Sequence, residues 1–112
     1  MNKIERRLRR KRGIRKKIRG TKTKPRITVT KSNKHIYAQA IDDDAGRTLG
    51  ASSDIALKIK RSVESAVKVG EDLAAKLLKI DIKEAVFDRN GYPYHGLVKS
   101  IAEGLRKGGI KV

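Results

Sequence analysis

The chain contains no cysteine and no tryptophan, and only two prolines, among its 112 residues. Without cysteine, neither a disulfide framework nor a thiolate zinc site can form. No apolar run approaches the length of a signal-peptide core or a membrane span, and we expect a cytoplasmic protein. One phenylalanine and three tyrosines leave an aliphatic core, so each tyrosine is a candidate for work at the surface.

Acidic residues are nearly missing from the N-terminal quarter of the chain. The first 26 residues hold 14 lysines or arginines against one acid, Glu5, and so carry +13 of the formal charge of +17. Such charge density repels itself and needs a polyanion beside it. We predict that residues 1–25 are a basic arm, flexible alone and ordered on a partner, and that residues 26–112 form one globular domain.

The hydrophobic pattern of the domain first predicts three strands. Ile27 and Val29 alternate with threonines, which indicates a half-buried strand that starts at Arg26. A second strand over residues 35–41 pairs back as a hairpin, and residues 47–52 supply a third short strand. The hairpin buries one face and leaves the other to solvent or to a partner.

Helical spacing of apolar residues then extends from Ile55 to Lys79, with Arg61 or Ser62 as the place where a break would fall. Gly70 inside this helix indicates close packing against the sheet. A parallel strand buried on both faces is predicted over residues 83–87, followed by a second helix that Gly108 and Gly109 stop. The predicted fold class is therefore α/β (α+β), a mixed sheet in the order β-β-β-α-β-α with helices packed on one face.

The uncovered face of the hairpin is the first candidate binding surface. Tyr37 and Gln39 lie on it, and Ser32, Asn33 and Lys34 form the adjoining turn. A polar sheet face is often only solvated. Because the basic arm leads directly into the first strand, nucleic acid is the favoured partner, since its phosphates attract lysine and arginine at long range.

A second candidate surface is the loop that follows the fourth strand. Arg89 precedes a tight Asn90-Gly91 turn, and Tyr92, Tyr94 and His95 come next, where flat side chains can stack on unpaired bases. Either tyrosine could instead cap the core, and His95 could instead bond to the first turn of the following helix. Asp88, beside Arg89, is expected to orient that arginine or to cap backbone amides.

These two surfaces carry a resemblance to a known family. Residues 32–39 (SNKHIYAQ), followed by an acidic turn, and residues 87–96 (FDRNGYPYHG), followed by a helix, closely resemble the bacterial form of large-subunit ribosomal protein eighteen. The resemblance runs over essentially the whole chain. One departure is Asn90, where the family commonly has glycine; asparagine tolerates a left-handed backbone, so we expect the turn to survive.

The resemblance implies a protein that binds 5S ribosomal RNA, helps attach it to the central protuberance, and has neither catalytic activity nor a cofactor. It also implies 23S ribosomal RNA and neighbouring large-subunit proteins as partners, no membrane, and a monomer when free. The predicted RNA-binding residues are Arg6, Arg7, Arg9, Arg10, Arg12, Arg15, Lys16, Arg19, Arg26, Ser32, Asn33, Lys34, His35, Tyr37, Gln39, Arg89, Tyr92, Tyr94 and His95.

Other classes of function are disfavoured by what the sequence contains. His35 and His95 are the two histidines available for acid-base ribonuclease chemistry, and nothing in their spacing brings them together. The run from Asp42 to Asp44 lies on a turn, where acids are usually solvated and not metal ligands. The arm alone excludes neither DNA nor an anionic membrane. Its apolar stripe is thin, however, and no helix-turn-helix pattern is present.

Overall fold

The computed structural model of the protein describes residues 3–15, 19–32, 34–60, 62–94 and 96–112. In chain order these residues form α1 (Lys3–Arg15), β1 (Arg26–Lys31), β2 (Ile36–Asp42), β3 (Arg47–Ser53), α2 (Val63–Lys79), β4 (Val86–Asp88) and α3 (Leu97–Lys107). The predicted order of strands and helices in the domain is confirmed, and a helix in the basic arm precedes it. Within the described ranges, no helix has the length and apolarity needed to cross a bilayer.

The four strands make one mixed sheet in the order β3-β2-β1-β4. β1 and β2 form the expected antiparallel hairpin, with Thr28 opposite Gln39, and β3 continues it antiparallel to β2. β4 lies parallel to β1, with Phe87 beside Ile27. A parallel neighbour requires a crossover connection, which the segment containing α2 supplies.

The helices cover one face of this sheet. α2 packs across β2 and β3, and α3 packs along α2. The covered face presents the alternate residues of the hairpin, so the strands bury every second side chain. The core is aliphatic, as predicted, and its largest fully buried side chains include Ile27, Val29, Ile36, Leu73, Leu77, Ile101 and Leu105.

The start of α2 differs from the prediction. The helix begins at Val63, because Ser62 is its N-cap and the Ser62 hydroxyl accepts a 3.1 Å hydrogen bond from the backbone N–H of Ser65. Upstream, the buried carboxylate of Asp54 accepts hydrogen bonds from the backbone N–H groups of Ile36 and Ile55. These bonds fix turns over residues 54–58, where a helix was predicted, so the predicted start at Ile55 is wrong. The start at Val63 agrees with a break at Ser62, whereas Arg61, the other position given for the break, lies outside the described residues.

The fourth strand is also shorter than predicted. β4 covers Val86–Asp88, and its two apolar residues are only half buried. The expectation of a strand buried on both faces over residues 83–87 is therefore wrong. β4 lies at an edge of the sheet, and its fully buried residue is the carboxylate Asp88.

Gly70 does mark a close contact, but with α3 and not with the sheet. A Cβ placed on Gly70 would lie 2.3 Å from the carbonyl oxygen of Ile101, and one on Gly104 would lie 2.2 Å from that of Val67. Real Cβ atoms do not approach backbone so closely. The two glycines therefore let the helix backbones meet, and the predicted contact of Gly70 with the sheet is corrected to a helix–helix contact.

A polar clip joins α2 to β3 at the rim of the sheet. The Asp72 carboxylate accepts a 2.7 Å hydrogen bond from the Ser52 hydroxyl and pairs with the Lys76 ammonium at 3.0 Å. Burial alone would raise the pKa of Asp72, but these two hydrogen bonds outweigh it and hold the pKa below its usual value. The clip thus favours the ionised carboxylate at neutral pH.

Candidate nucleic-acid interface

The arm helix α1 lies against the loop that follows β4. The Arg7 Nε donates to the carbonyl oxygen of Asn90 at 3.2 Å, and the Arg10 Nε donates to that of Gly91 at 2.9 Å. The Arg7 guanidinium also lies over the Tyr92 ring, 4.5 Å from its centroid, in cation–π geometry. Two arginines that were predicted to bind RNA therefore contact the protein itself.

The turn that receives α1 is held from several sides. Asn90 and Gly91 both have positive φ, at 55° and 76°. The Asp88 carboxylate accepts a 2.9 Å bond from the Asn90 backbone N–H, and the Asn90 side-chain amide donates to the Val29 carbonyl at 3.0 Å. The expectation that asparagine supports a left-handed turn here is confirmed. Of the two roles expected for Asp88, the capping of a backbone amide is the one observed.

The two tyrosines of the loop have different environments. Tyr92 is only 9% exposed and belongs to the core, and its hydroxyl donates to the Lys31 carbonyl at 3.3 Å. Tyr94 is 42% exposed, packs edge-on against Phe87 and accepts a 3.2 Å hydrogen bond from Arg106. The structure thus makes Tyr92 a core residue and leaves Tyr94 as the aromatic surface available for stacking.

Arg89 is half buried beside this loop. Its Nη1 donates to the Tyr92 carbonyl at 3.2 Å, so one edge of the guanidinium braces the turn. His95 and Asn33, both predicted to bind RNA, lie outside the described residues.

Arg26, the first residue of β1, is used internally. Its guanidinium pairs with Asp43 at 3.0 Å and with the buried Asp88 at 2.8 Å, and its side chain is 12% exposed. Burial lowers the pKa of Arg26, but the hydrogen bonds to the two carboxylates outweigh that effect and raise it. The guanidinium locks β1 to β4 and to the β2–β3 turn, and little of it faces outward.

The acidic turn between β2 and β3 is likewise satisfied within the protein. Asp42 accepts from the backbone N–H groups of Asp44 and Ala45. Asp44 pairs with Arg19, and that hydrogen bond raises the pKa of the exposed guanidinium. Among the described residues, no group of histidines and carboxylates has the geometry to hold a metal ion.

The turn of the β1–β2 hairpin carries a smaller set of exposed polar groups. Ser32 closes the turn, accepting a 3.2 Å bond from the His35 backbone N–H, while Lys34 is exposed. The His35 ring nitrogen lies 3.3 Å from the Asp54 carboxylate, and this contact orients the imidazole.

The sheet face opposite the helices is open, as predicted. Tyr37 and Gln39 project from β2 on this face and are exposed. Between them and the neighbouring strand lies a shallow depression of about 130 Å³, lined also by Ala51, Ser53 and Ala56. The depression is small and its floor is formed by short side chains.

The outer side of α1 carries exposed cations. Arg6, Arg9 and Arg12 are exposed. At about 100° of rotation per residue, Arg9 and Arg12 lie on the helix side away from the loop contacts of Arg7, whereas Arg6 lies at the edge of that side, one turn from Arg10. Arg15 ends the helix, and Lys16 lies outside the described residues.

Two cations near the loop were not singled out from the sequence. Arg106 reaches Tyr94 from the last turn of α3, and the Lys31 ammonium lies 5.3 Å from the Tyr92 ring centroid. Lys31 is far from residues 89–94 along the chain, and Arg106 lies in the helix after them, 12 residues beyond Tyr94; the fold brings both to the loop. Helix α1, the loop of residues 89–94 and the β1–β2 hairpin turn next to Lys31 form one surface. We call it the basic surface.

Comparisons with known proteins give the family of this chain. The family model described as ribosomal L18 of archaea, bacteria, mitochondria and chloroplast matches residues 1–112. The chain belongs to the ribosomal L18 family. Relatives named large ribosomal subunit protein uL18 include that of a Nitratiruptor species, 52% identical over 94% of this chain and 89% of the relative. Others are from Campylobacter hominis, 54% identical over 98% and 93%, and from a strain of Porphyromonas gingivalis, 49% identical over 99% and 98%.

Membership of the ribosomal L18 family shows the general function of the protein. The protein is a structural constituent of the large ribosomal subunit and not an enzyme, and it acts in translation in association with ribosomal RNA and ribosomal proteins. These relatives are bacterial, which places the protein in the cytoplasm with the ribosome. The predicted family and the absence of catalysis are therefore confirmed.

Proposed function

We propose that the protein binds 5S ribosomal RNA and helps attach it to the central protuberance of the large subunit. The choice of 5S RNA rests on the resemblance carried by residues 32–39 and 87–96. The single structural observation in its support is the basic surface, where a helix rich in arginine lies against the turn that precedes the exposed, braced Tyr94. Asp43 and Asp88 pair with Arg26 at the start of β1, so their negative charge does not offset the positive charge of the arm.

The proposed mechanism has two parts. The outward arginines of α1, among them Arg6 and Arg9, supply affinity by pairing with phosphates and releasing counterions. The folded loop supplies selectivity, because Tyr94 stacks on an unpaired base while Arg89 contacts the backbone or a groove. Edge contact with Phe87 and the hydrogen bond from Arg106 hold the Tyr94 ring in place before RNA arrives.

A gel shift tests the target. The full chain is mixed with 5S RNA at about 0.15 M salt, where long-range attraction is screened within about 8 Å, and excess transfer RNA is added as competitor. We expect one discrete complex that survives the competitor. Loss of the band to transfer RNA would contradict the proposal and leave only a general affinity for nucleic acid.

The division of roles is tested with Arg89→Ala combined with Tyr94→Ala. We expect this double variant to lose about 30-fold or more in 5S affinity, since stacking and one charge-assisted phosphate contact are each worth at least about 1 kcal/mol. Its affinity for random RNA should fall much less. The double variant Arg6→Ala with Arg9→Ala is the matched control, expected to weaken both RNAs alike. Equal losses on both RNAs for Arg89 and Tyr94 would show that the loop contributes charge alone.

A further inference from the structure

The arginines of α1 divide into two sets with different surroundings. Arg7 and Arg10 donate to main-chain carbonyl oxygens of the Asn90-Gly91 turn. Arg6, Arg9 and Arg12 are exposed, and helical rotation places Arg9 and Arg12 on the side away from these contacts and Arg6 at its edge. The bonds to carbonyl oxygens direct the Nε of Arg7 and Arg10 toward the turn but leave their positive charge uncompensated, whereas the outer set is exposed to a partner.

The contact between α1 and the turn includes the backbone as well as side chains. A Cβ on Gly91 would lie 2.4 Å from the carbonyl oxygen of Arg7 and 3.0 Å from its Cγ. Only a glycine at position 91 admits the helix at this distance. The receiving turn is itself rigid, since Asn90 is bonded to Asp88 and to Val29. The Asn90-Gly91 turn is therefore a preformed contact site for α1, which we call the seat.

Isolated α1 would not be expected to persist. It has 13 residues, close to the lower limit for a helix in water, and like charges three and four residues apart repel one another. The seat offsets this instability with two hydrogen bonds and the contact of the Arg7 guanidinium with the Tyr92 ring. Tyr92 is in turn tied to the end of β1 through the Lys31 carbonyl.

We propose that Arg7 and Arg10 are positioning residues that dock α1 on the Asn90-Gly91 turn in the free protein, in place of the flexible free arm predicted from the sequence, and so present Arg6, Arg9 and Arg12 to RNA. This inference rests on the proposed function for its consequence, although the docking itself does not involve RNA. Because the Nε of each is directed at the turn, we expect Arg7 and Arg10 to make fewer phosphate contacts than the outer set. They strengthen RNA binding because α1 is already ordered in the free protein, so RNA does not have to supply the free energy of ordering it.

The first test uses the free, full-length protein and amide hydrogen exchange over residues 3–15. We expect exchange in the wild-type helix to be slowed by about tenfold or more relative to the unstructured rate, as two hydrogen bonds and one cation–π contact imply. Arg7→Gln with Arg10→Gln should abolish that protection. Arg6→Gln with Arg9→Gln removes the same charge from the same helix and should keep it. An unprotected wild-type helix, or equal loss in both variants, would overturn the docking.

A glycine pair gives an independent check on the seat. Gly91→Ala places a Cβ against Arg7 and should release α1. Gly46→Ala imposes a similar left-handed strain, at φ +63° against +76°, but a Cβ there meets nothing within 4 Å. Protection of residues 3–15 should therefore fall in Gly91→Ala and remain in Gly46→Ala. Equal behaviour of the two variants would show that no seat exists at Gly91.

The salt dependence of RNA binding then separates positioning from phosphate contact. Loss of Arg6 and Arg9 should reduce the slope of log affinity against log salt by about 1.4–1.8, which is two phosphate contacts. Loss of Arg7 and Arg10 should reduce the slope by clearly less than that, while lowering affinity severalfold at every salt concentration. A slope reduced equally by both pairs would make Arg7 and Arg10 ordinary phosphate contacts. Failure of the wild type to prefer 5S RNA would instead count against the proposed function and leave the exchange result standing.

Discussion

Single residues of the loop show where a sequence pattern can specify chemistry and where it cannot. The tight turn was predictable because Asn-Gly is a local signal, and both residues adopt the expected left-handed backbone. Which tyrosine is buried was not predictable. Tyr92 and Tyr94 are two residues apart with similar neighbours in sequence, and only packing against Lys31 or against Phe87 distinguishes them.

Asn90 gives a prediction that separates backbone strain from hydrogen bonding. Asn90→Ala loses the 3.0 Å bond to the Val29 carbonyl and places alanine at φ 55°. Asn90→Gly loses the same bond without the left-handed penalty, which is about 1–2 kcal/mol for an L-residue. We expect urea denaturation to show both variants less stable than wild type, with alanine worse than glycine by about 1 kcal/mol. If the alanine and glycine variants were equally stable, the hydrogen bond alone would account for asparagine at this position.

At the scale of elements, periodicity identified the strands and helices but not all of their ends or contacts. α3 and the hairpin match the prediction closely, because each has local stop signals. The helix predicted from Ile55 was wrong as far as Lys60, because Asp54 and Ser62 form turn and cap bonds that compete with a helix. The partner of Gly70 was also beyond the sequence, as it depends on how α2 crosses α3.

The close crossing of α2 and α3 predicts that replacing a helical glycine with alanine lowers the stability of the protein, whereas this change usually raises it. In an open helix, Gly→Ala stabilises by about 1 kcal/mol. At Gly70 the new Cβ would meet the Ile101 carbonyl at 2.3 Å, so we expect Gly70→Ala to destabilise by about 1–3 kcal/mol through overpacking. Thermal or urea unfolding measures this. The control is Ala75→Gly on the exposed side of the same helix, expected to cost about 1 kcal/mol from propensity alone. A stabilised Gly70→Ala would refute the close crossing.

At the scale of the whole molecule, the separation of charge was evident from the sequence, whereas the attachment of the arm was not. Counting lysines and arginines is sufficient to locate +13 in the first 26 residues. The bonds from Arg7 and Arg10 go to carbonyl oxygens more than 80 residues away, and no local pattern encodes them. The boundary of the domain at residue 26 stays a prediction, and the contacts of Gly20 bear on where a cut is tolerated.

Gly20 is buried against the turn between β2 and β3, and its backbone both donates a hydrogen bond to Asp43 and accepts one from it. Its backbone N–H donates to the Asp43 carboxylate at 2.7 Å, and its carbonyl accepts from the Asp43 backbone N–H at 3.0 Å. We therefore compare two truncations, one lacking residues 1–18 and one lacking residues 1–24. Both remove α1 and most of the arm charge, but only the second removes Gly20.

We expect both truncations to bind RNA more weakly by orders of magnitude at moderate salt, because the phosphate contacts of the arm are lost. Both should remain folded, with the longer deletion less stable by about 1–3 kcal/mol because Asp43 loses two hydrogen bonds. Circular dichroism during urea unfolding measures stability, and the gel shift measures binding. Unfolding of the body after removal of residues 1–24 would move the domain boundary back toward Gly20. Retained RNA affinity in either truncation would show that the folded domain, and not the arm, supplies the binding energy.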